Sequence, residues 1–82
     1  MLSLKTINKY EPEMKRLGVS KVARSRRGFL SAYKRAGSSD KLSDDWKRKR
    51  KAFIARHNAQ YKKNPTKRRK LALIAWAYNP DK

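Results

Sequence analysis

Few residues in this chain are equipped for bond-making chemistry. His57 is the single histidine, there is no cysteine, and the six carboxylates include one adjacent pair, Asp44 and Asp45. General acid–base catalysis needs an imidazole or carboxylate held beside a group that tunes it. His57 has Arg56 as its neighbour and no carboxylate close in sequence. It falls on the apolar stripe of a helical stretch, where packing accounts for it, and whether it does more than pack stays open. Side chains of adjacent helical residues diverge by about 100°, so Asp44 and Asp45 do not converge on one ion. As first-turn acids they complement the helix dipole instead. The chain also lacks a glycine-rich phosphate loop, a nucleophile motif and zinc-ligand spacing. The expectation is a protein that is not an enzyme and takes no cofactor and no metal.

Cations dominate the remaining chemistry. There are 24 Lys+Arg against 6 Asp+Glu, a formal net charge of +18, and self-repulsion on that scale calls for a polyanionic partner. They recur around Arg24 to Arg27, Lys47 to Lys51 and Lys67 to Lys70. Each cation that neutralises a phosphate releases counterions, which makes binding steeply salt-dependent. Lys67, Arg68, Arg69 and Lys70 sit at a helix start, where cations oppose the macrodipole. Combined with free backbone N–H groups, they are expected to form a phosphate site.

The elements that must position these residues follow from caps and periodicity. The segment Leu71 to Tyr78 is uncharged and apolar nearly all round, so it reads as a core helix covered on two sides. Thr66 caps it, which predicts a helix over 66–78. Leu42 precedes the cap Ser43, and Asn64-Pro65 ends the run, so a long helix is expected over 43–63. Trp46, Phe53, Ile54, His57 and Tyr61 share its inner stripe, with the stem of Arg50 alongside. Ala52, Ala55 and Ala59 lie opposite among Arg48, Lys51 and Lys62, small enough to admit a close approach. A third helix is expected over 25–36, stopped by Gly37, with Val22, Phe29, Leu30, Tyr33 and Ala36 toward the core and Arg24, Arg27, Ser31, Lys34 and Arg35 outward. Residues 3–10 read as an arm or short helix, and Glu11-Pro12-Glu13 as a separate start ending at Gly18. The fold class expected is all-α, a small compact bundle of three main helices, with an N-terminal arm (1–18) before a basic helical domain (19–80). No stretch resembles a signal peptide or a membrane span.

The chain resembles a small, uncharacterised domain family found in bacteriophage genomes. The resemblance is carried by Val19 to Gly37 (Val-Ser-Lys-Val-Ala-Arg-Ser-Arg-Arg-Gly-Phe-Leu-Ser-Ala-Tyr-Lys-Arg-Ala-Gly), by Trp46 with its basic run, by Phe53 to Gln60, and by Leu71 to Pro80. Arg26 stands where the pattern has a proline after Ser25. The resemblance implies no activity or cofactor. It does imply a phage-encoded protein working in the host cytoplasm on a nucleic-acid process.

Non-catalytic binding to DNA is therefore the expected function, chiefly to duplex phosphates. The expected contacts are Arg24, Arg27 and Lys34 on one helix, Arg48 and Lys51 on the next, and Lys67, Arg68, Arg69 and Lys70 at the start of the last. A helix-turn-helix reading places a short helix at Ser20 to Arg24 and presents Arg27, Ser31 and Lys34 to a major groove, although Gly28 falls inside its second helix. In a third arrangement, Tyr33, Trp46, Tyr61, Trp76 and Tyr78 stack unpaired bases, against which their helical spacing favours a core role. RNA is an alternative ligand. The rival class is an interaction protein that docks on an acidic host protein through an uncovered face at Trp76 and Leu73. That same face would let the chain be a monomer or a homodimer through its C-terminal helix.

Overall fold

The computed structural model describes residues 1–81, and these are all-helical: four α-helices and one short 3-10 turn at Ser39–Lys41. The first helix, α1 (Leu4–Leu17), starts at Ser3, whose Oγ accepts from the Thr6 N–H at 3.2 Å. It ends at Gly18, where φ is 68° and the N–H groups of Gly18 and Val19 close on the carbonyls of Lys15 and Met14. The two segments expected on either side of Pro12 are thus one helix. Proline in a helix interior costs about 3 kcal/mol when it removes a needed bond. Here Pro12 and Asn8, the residue whose carbonyl loses its donor, are both exposed, so the missing bond lies on the solvent side of the helix. The continuous helix gains the burial of Ile7 and Met14, both fully enclosed, and the half-burial of Tyr10 and Leu17 along the same stripe. The expected arm is a full partner in the core.

Residues 19–27 form a series of tight turns rather than a helical turn leading into the next element, so the helix expected from Ser25 begins at Phe29 as α2 (Phe29–Ala36). Gly28 sets that boundary. It is buried where the backbone folds back on Val22 and Ala23, and a Cβ there would sit inside van der Waals contact with both carbonyls. The Leu30 N–H reaches the Ala23 carbonyl at 3.0 Å across this close approach. Phe29, Leu30, Ala32 and Tyr33 are buried, but Val22, expected on the same stripe, is 79% exposed because its segment is not helical. The first helix of the helix-turn-helix arrangement is missing for the same reason. Gly37, at φ 83°, ends α2 as expected.

Helix α3 (Asp44–Lys63) has the expected start and stop. The Ser43 Oγ accepts from the Trp46 N–H at 3.3 Å, Asp44 and Asp45 occupy the first turn, and the helix ends at Asn64. Leu42, just before the cap, is buried in the core. None of its side chains is fully buried. Trp46, Phe53, Ile54, His57 and Tyr61 are all half-buried on its inner side.

Helix α4 (Lys67–Ile74) is capped by Thr66, whose Oγ1 accepts from the Arg69 N–H at 3.2 Å. It stops short of the expected Tyr78. Ala77 takes a left-handed φ of 61°, and the N–H groups of Ala77 and Tyr78 close on the carbonyls of Ile74 and Leu73. Arg50 of α3 seals this end, its Nε donating to the Trp76 carbonyl at 2.7 Å and its Nη2 to the Ala77 carbonyl at 2.8 Å. The Leu2 N–H adds a second donor to the Ala77 carbonyl, and the Tyr33 hydroxyl donates to the Leu2 carbonyl at 2.9 Å. α4 packs on both α1 and α3. Leu71, Leu73, Ile74, Ala75 and Ala77 are all buried, as an all-round apolar segment requires. Among the described residues no helix is long and apolar enough to cross a membrane.

Candidate nucleic-acid interface

The side of α3 that faces away from the bundle is a cationic surface with an alanine centre. Ala52, Ala55 and Ala59 are exposed along its midline below Arg48, with Lys51 and Lys62 on one flank and Arg56 and Lys63 on the other. Lys47 and Lys49 extend the charge at the N-terminal end, Lys49 with its Nζ 4.8 Å from the centre of the Trp46 ring. Carboxylates appear only at the start of the helix, where Asp45 pairs with Arg48. Arg56 and Lys63 were outside the expected set, although their wheel positions beside the alanines were the signal for them.

The nine cations expected at phosphates occupy different situations. Arg27 and Lys51 are exposed and have no ion-pair partner among the described residues. Arg48 is exposed with Asp45 beside it, and Lys34 reaches Glu11 of α1 at 3.0 Å. Arg24 is half-buried and turns inward, its Nε and Nη2 both donating to the Val19 carbonyl at 3.0 and 2.9 Å. The four at the start of α4 act as ties within the protein. Lys67 pairs with Glu13, and the Arg68 Nη1 donates to the Leu17 carbonyl at the end of α1. The Arg69 Nη1 donates to the Asn64 carbonyl at 3.4 Å, and Lys70 pairs with Asp81 at 2.7 Å. These contacts explain cations at a helix start, where the dipole alone disfavours them. The hydrogen bond from Lys67 pulls the Glu13 carboxyl below its ordinary value, with Arg16 adding to the effect. Asp81 likewise lies below its ordinary value through the hydrogen bonds from Lys70 and then Tyr61, and Lys70 is raised in return.

Of the face expected to be uncovered at Trp76 and Leu73, Leu73 is covered and Trp76 is half-buried. Leu73 is 0% exposed, so it is unavailable to a partner or to a second copy of the chain. Trp76 is half-buried between two rings, stacked on Phe29 at 4.8 Å and on Phe53 at 4.5 Å between centroids. Phe53 in turn stacks on His57 at 3.8 Å, with the planes 17° apart. The aromatics expected to interleave with cations are therefore mostly packing groups. Tyr33 is buried, Trp46 meets Phe29 edge-on, and Tyr61 holds Asp81 at 2.9 Å. Burial, and then the charge of Arg56, push the His57 imidazole below its ordinary value, so it is neutral at pH 7. Among the described residues no three His, Cys, Asp or Glu side chains gather as a metal site would need.

Comparison of the chain with protein-family models, with curated proteins and with solved structures returns no match.

Proposed function

We propose that this protein is a non-catalytic nucleic-acid binder that grips the phosphate backbone of duplex DNA with the outer face of α3. The observation that carries the reading is the composition of that face: four cations flank an exposed alanine midline, with Arg48 at its N-terminal end, on a helix of 20 residues. Such a helix is about 30 Å long, close to one turn of duplex. Small side chains along its centre let the backbone approach, while the flanking cations meet phosphates on either side. Arg27 adds a contact from the turn before α2. The resemblance of Val19 to Gly37, Phe53 to Gln60 and Leu71 to Pro80 to a phage-borne family supports a phage-encoded protein acting on phage or host DNA in the host cytoplasm. An acidic protein docked on Trp76 and Leu73 is disfavoured by the burial of Leu73.

The test is a salt titration of duplex affinity for the wild-type chain and for Lys51→Gln, Lys62→Gln and Lys63→Gln combined. These side chains are exposed, so the fold is expected to be retained. The slope of log affinity against log salt should flatten by roughly 0.9 for each phosphate contact removed. An unchanged slope takes this face out of the interface.

A further inference from the structure

The segment 18–23, α3 and α4 enclose a groove on a different side from the alanine midline. It has two connected compartments, of about 470 and 500 Å³, with Gly18, Ser20, His57 and Ala72 common to both walls. One is apolar and aromatic, with Val22, Ala23, Phe53 and Trp76 lining it. The other is polar and cationic, with Gln60, Thr66, Arg68 and Arg69.

Four features of the groove bear on what it could hold. Phe29, Trp76, Phe53 and His57 form a column of near-parallel rings, with interplanar angles of 20°, 18° and 17°, that runs from the core and ends in the groove at His57. Another flat ring would extend that column, and aromatic stacking of this kind accepts any base. Val22 is 79% exposed on the groove wall, an apolar side chain held out of the core by the turns around Gly28. Ser20 adopts a left-handed φ of 59°, uncommon for a residue other than glycine, and its Oγ has no hydrogen-bond partner. At the cationic end, the bonds from Arg68 to Leu17 and from Arg69 to Asn64 each use one guanidinium nitrogen. A guanidinium has five N–H donors, so both side chains are held in place with donors to spare for a phosphate.

We propose that this groove holds one unpaired nucleotide of a nucleic-acid single strand, with its base in the His57 compartment and its phosphate at Arg68 and Arg69. The ligand class rests on the nucleic-acid reading above. The groove itself is a separate site. An acidic peptide would satisfy the arginines but leave the end of the ring column unmatched, and an intact duplex has no free base to insert.

The test uses the full chain and an oligothymidylate containing one 2-aminopurine, whose fluorescence falls when it stacks. A duplex of equal length and the 2-aminopurine mononucleotide serve as comparators. Binding of the strand should quench the fluorescence. Val22→Ser and His57→Ala should each remove the quench and weaken single-strand affinity roughly tenfold, with duplex affinity unchanged. Val22 is exposed, so its variant reports on the groove even if His57→Ala perturbs packing. Quenching that persists in both variants, or no quenching by the wild type while duplex binding stands, overturns the groove site alone. Mononucleotide binding as tight as that of the strand overturns the strand as occupant. Loss of binding to every polynucleotide overturns the backbone reading as well.

Discussion

Arg50 and Trp76 lie 26 positions apart, yet the Nε of one donates to the backbone carbonyl of the other at 2.7 Å. With its second bond to Ala77, Arg50 caps the turn that follows α4 from a neighbouring helix, serving two carbonyls beyond the helix's last turn. Burial pushes the Arg50 guanidinium below its ordinary value, a desolvation cost that its two carbonyl partners offset.

Removing this cap should be costly. Hydrogen bonds from a charged group are worth roughly 1.5–3 kcal/mol each, and Arg50→Met is expected to lose on the order of 3 kcal/mol in urea unfolding. Arg50→Lys should recover little, since a single ammonium lacks the planar fork that spans two successive carbonyls.

Two glycines should respond unequally to the same change. Gly28→Ala places a Cβ against the carbonyls of Val22 and Ala23, both of them backbone, and should cost at least about 3 kcal/mol or prevent folding. Gly37→Ala meets nothing within 4 Å and suffers only the left-handed backbone, so about 1 kcal/mol is expected. Thermal melts of the two variants side by side distinguish a steric requirement from a conformational one.

Asp81 ties the chain's end to α3 and α4 through Tyr61 and Lys70. Its carboxyl is held below the ordinary value, first by the hydrogen bond from Lys70, so the folded state binds the proton more weakly than the unfolded state. That contribution to stability is present above the unfolded carboxylate value and is lost as the pH falls through the lower folded value. Asp81→Asn should therefore be slightly less stable than wild type at neutral pH and equal to it in strong acid. A deficit that does not change with pH would mean that the carboxylate is not the stabilising group.

Arg68, Arg69 and Lys70 are structural as well as cationic. Their joint replacement by alanine should lower the melting temperature by a few degrees, since exposed ties of this kind are individually weak. It should also weaken single-strand binding more than duplex binding, as measured by affinity at matched salt. Equal weakening of both would place these cations on the duplex path after all.

The local grammar of the chain determined a good deal. Ser43, Thr66, Gly37 and Asn64-Pro65 mark boundaries that the structure keeps, because a cap is settled by the hydrogen bonds of three or four neighbouring residues. The all-helical class, the inner stripe of α3 and the burial of Leu71 to Ala75 were equally readable, since side-chain periodicity follows directly from helix geometry. The aromatic side chains of that stripe were placed on the right face, but not in the column that joins Phe29 to His57 through Trp76. Tertiary contacts decided the rest. Glu11-Pro12-Glu13 reads locally as a helix start, which the burial of Ile7 and Met14 overrode, and nothing near Ala77 forbids another helical turn until Arg50 and Leu2 claim its carbonyl. The cluster Lys67 to Lys70 reads as a free phosphate site only while Glu13, Leu17, Asn64 and Asp81 are out of view. Charge and periodicity are properties of residues and can be read along the chain. Whether a charge is spent or available depends on which distant carbonyl or carboxylate the fold brings within 3 Å or so of it, and three-dimensional packing alone sets that distance.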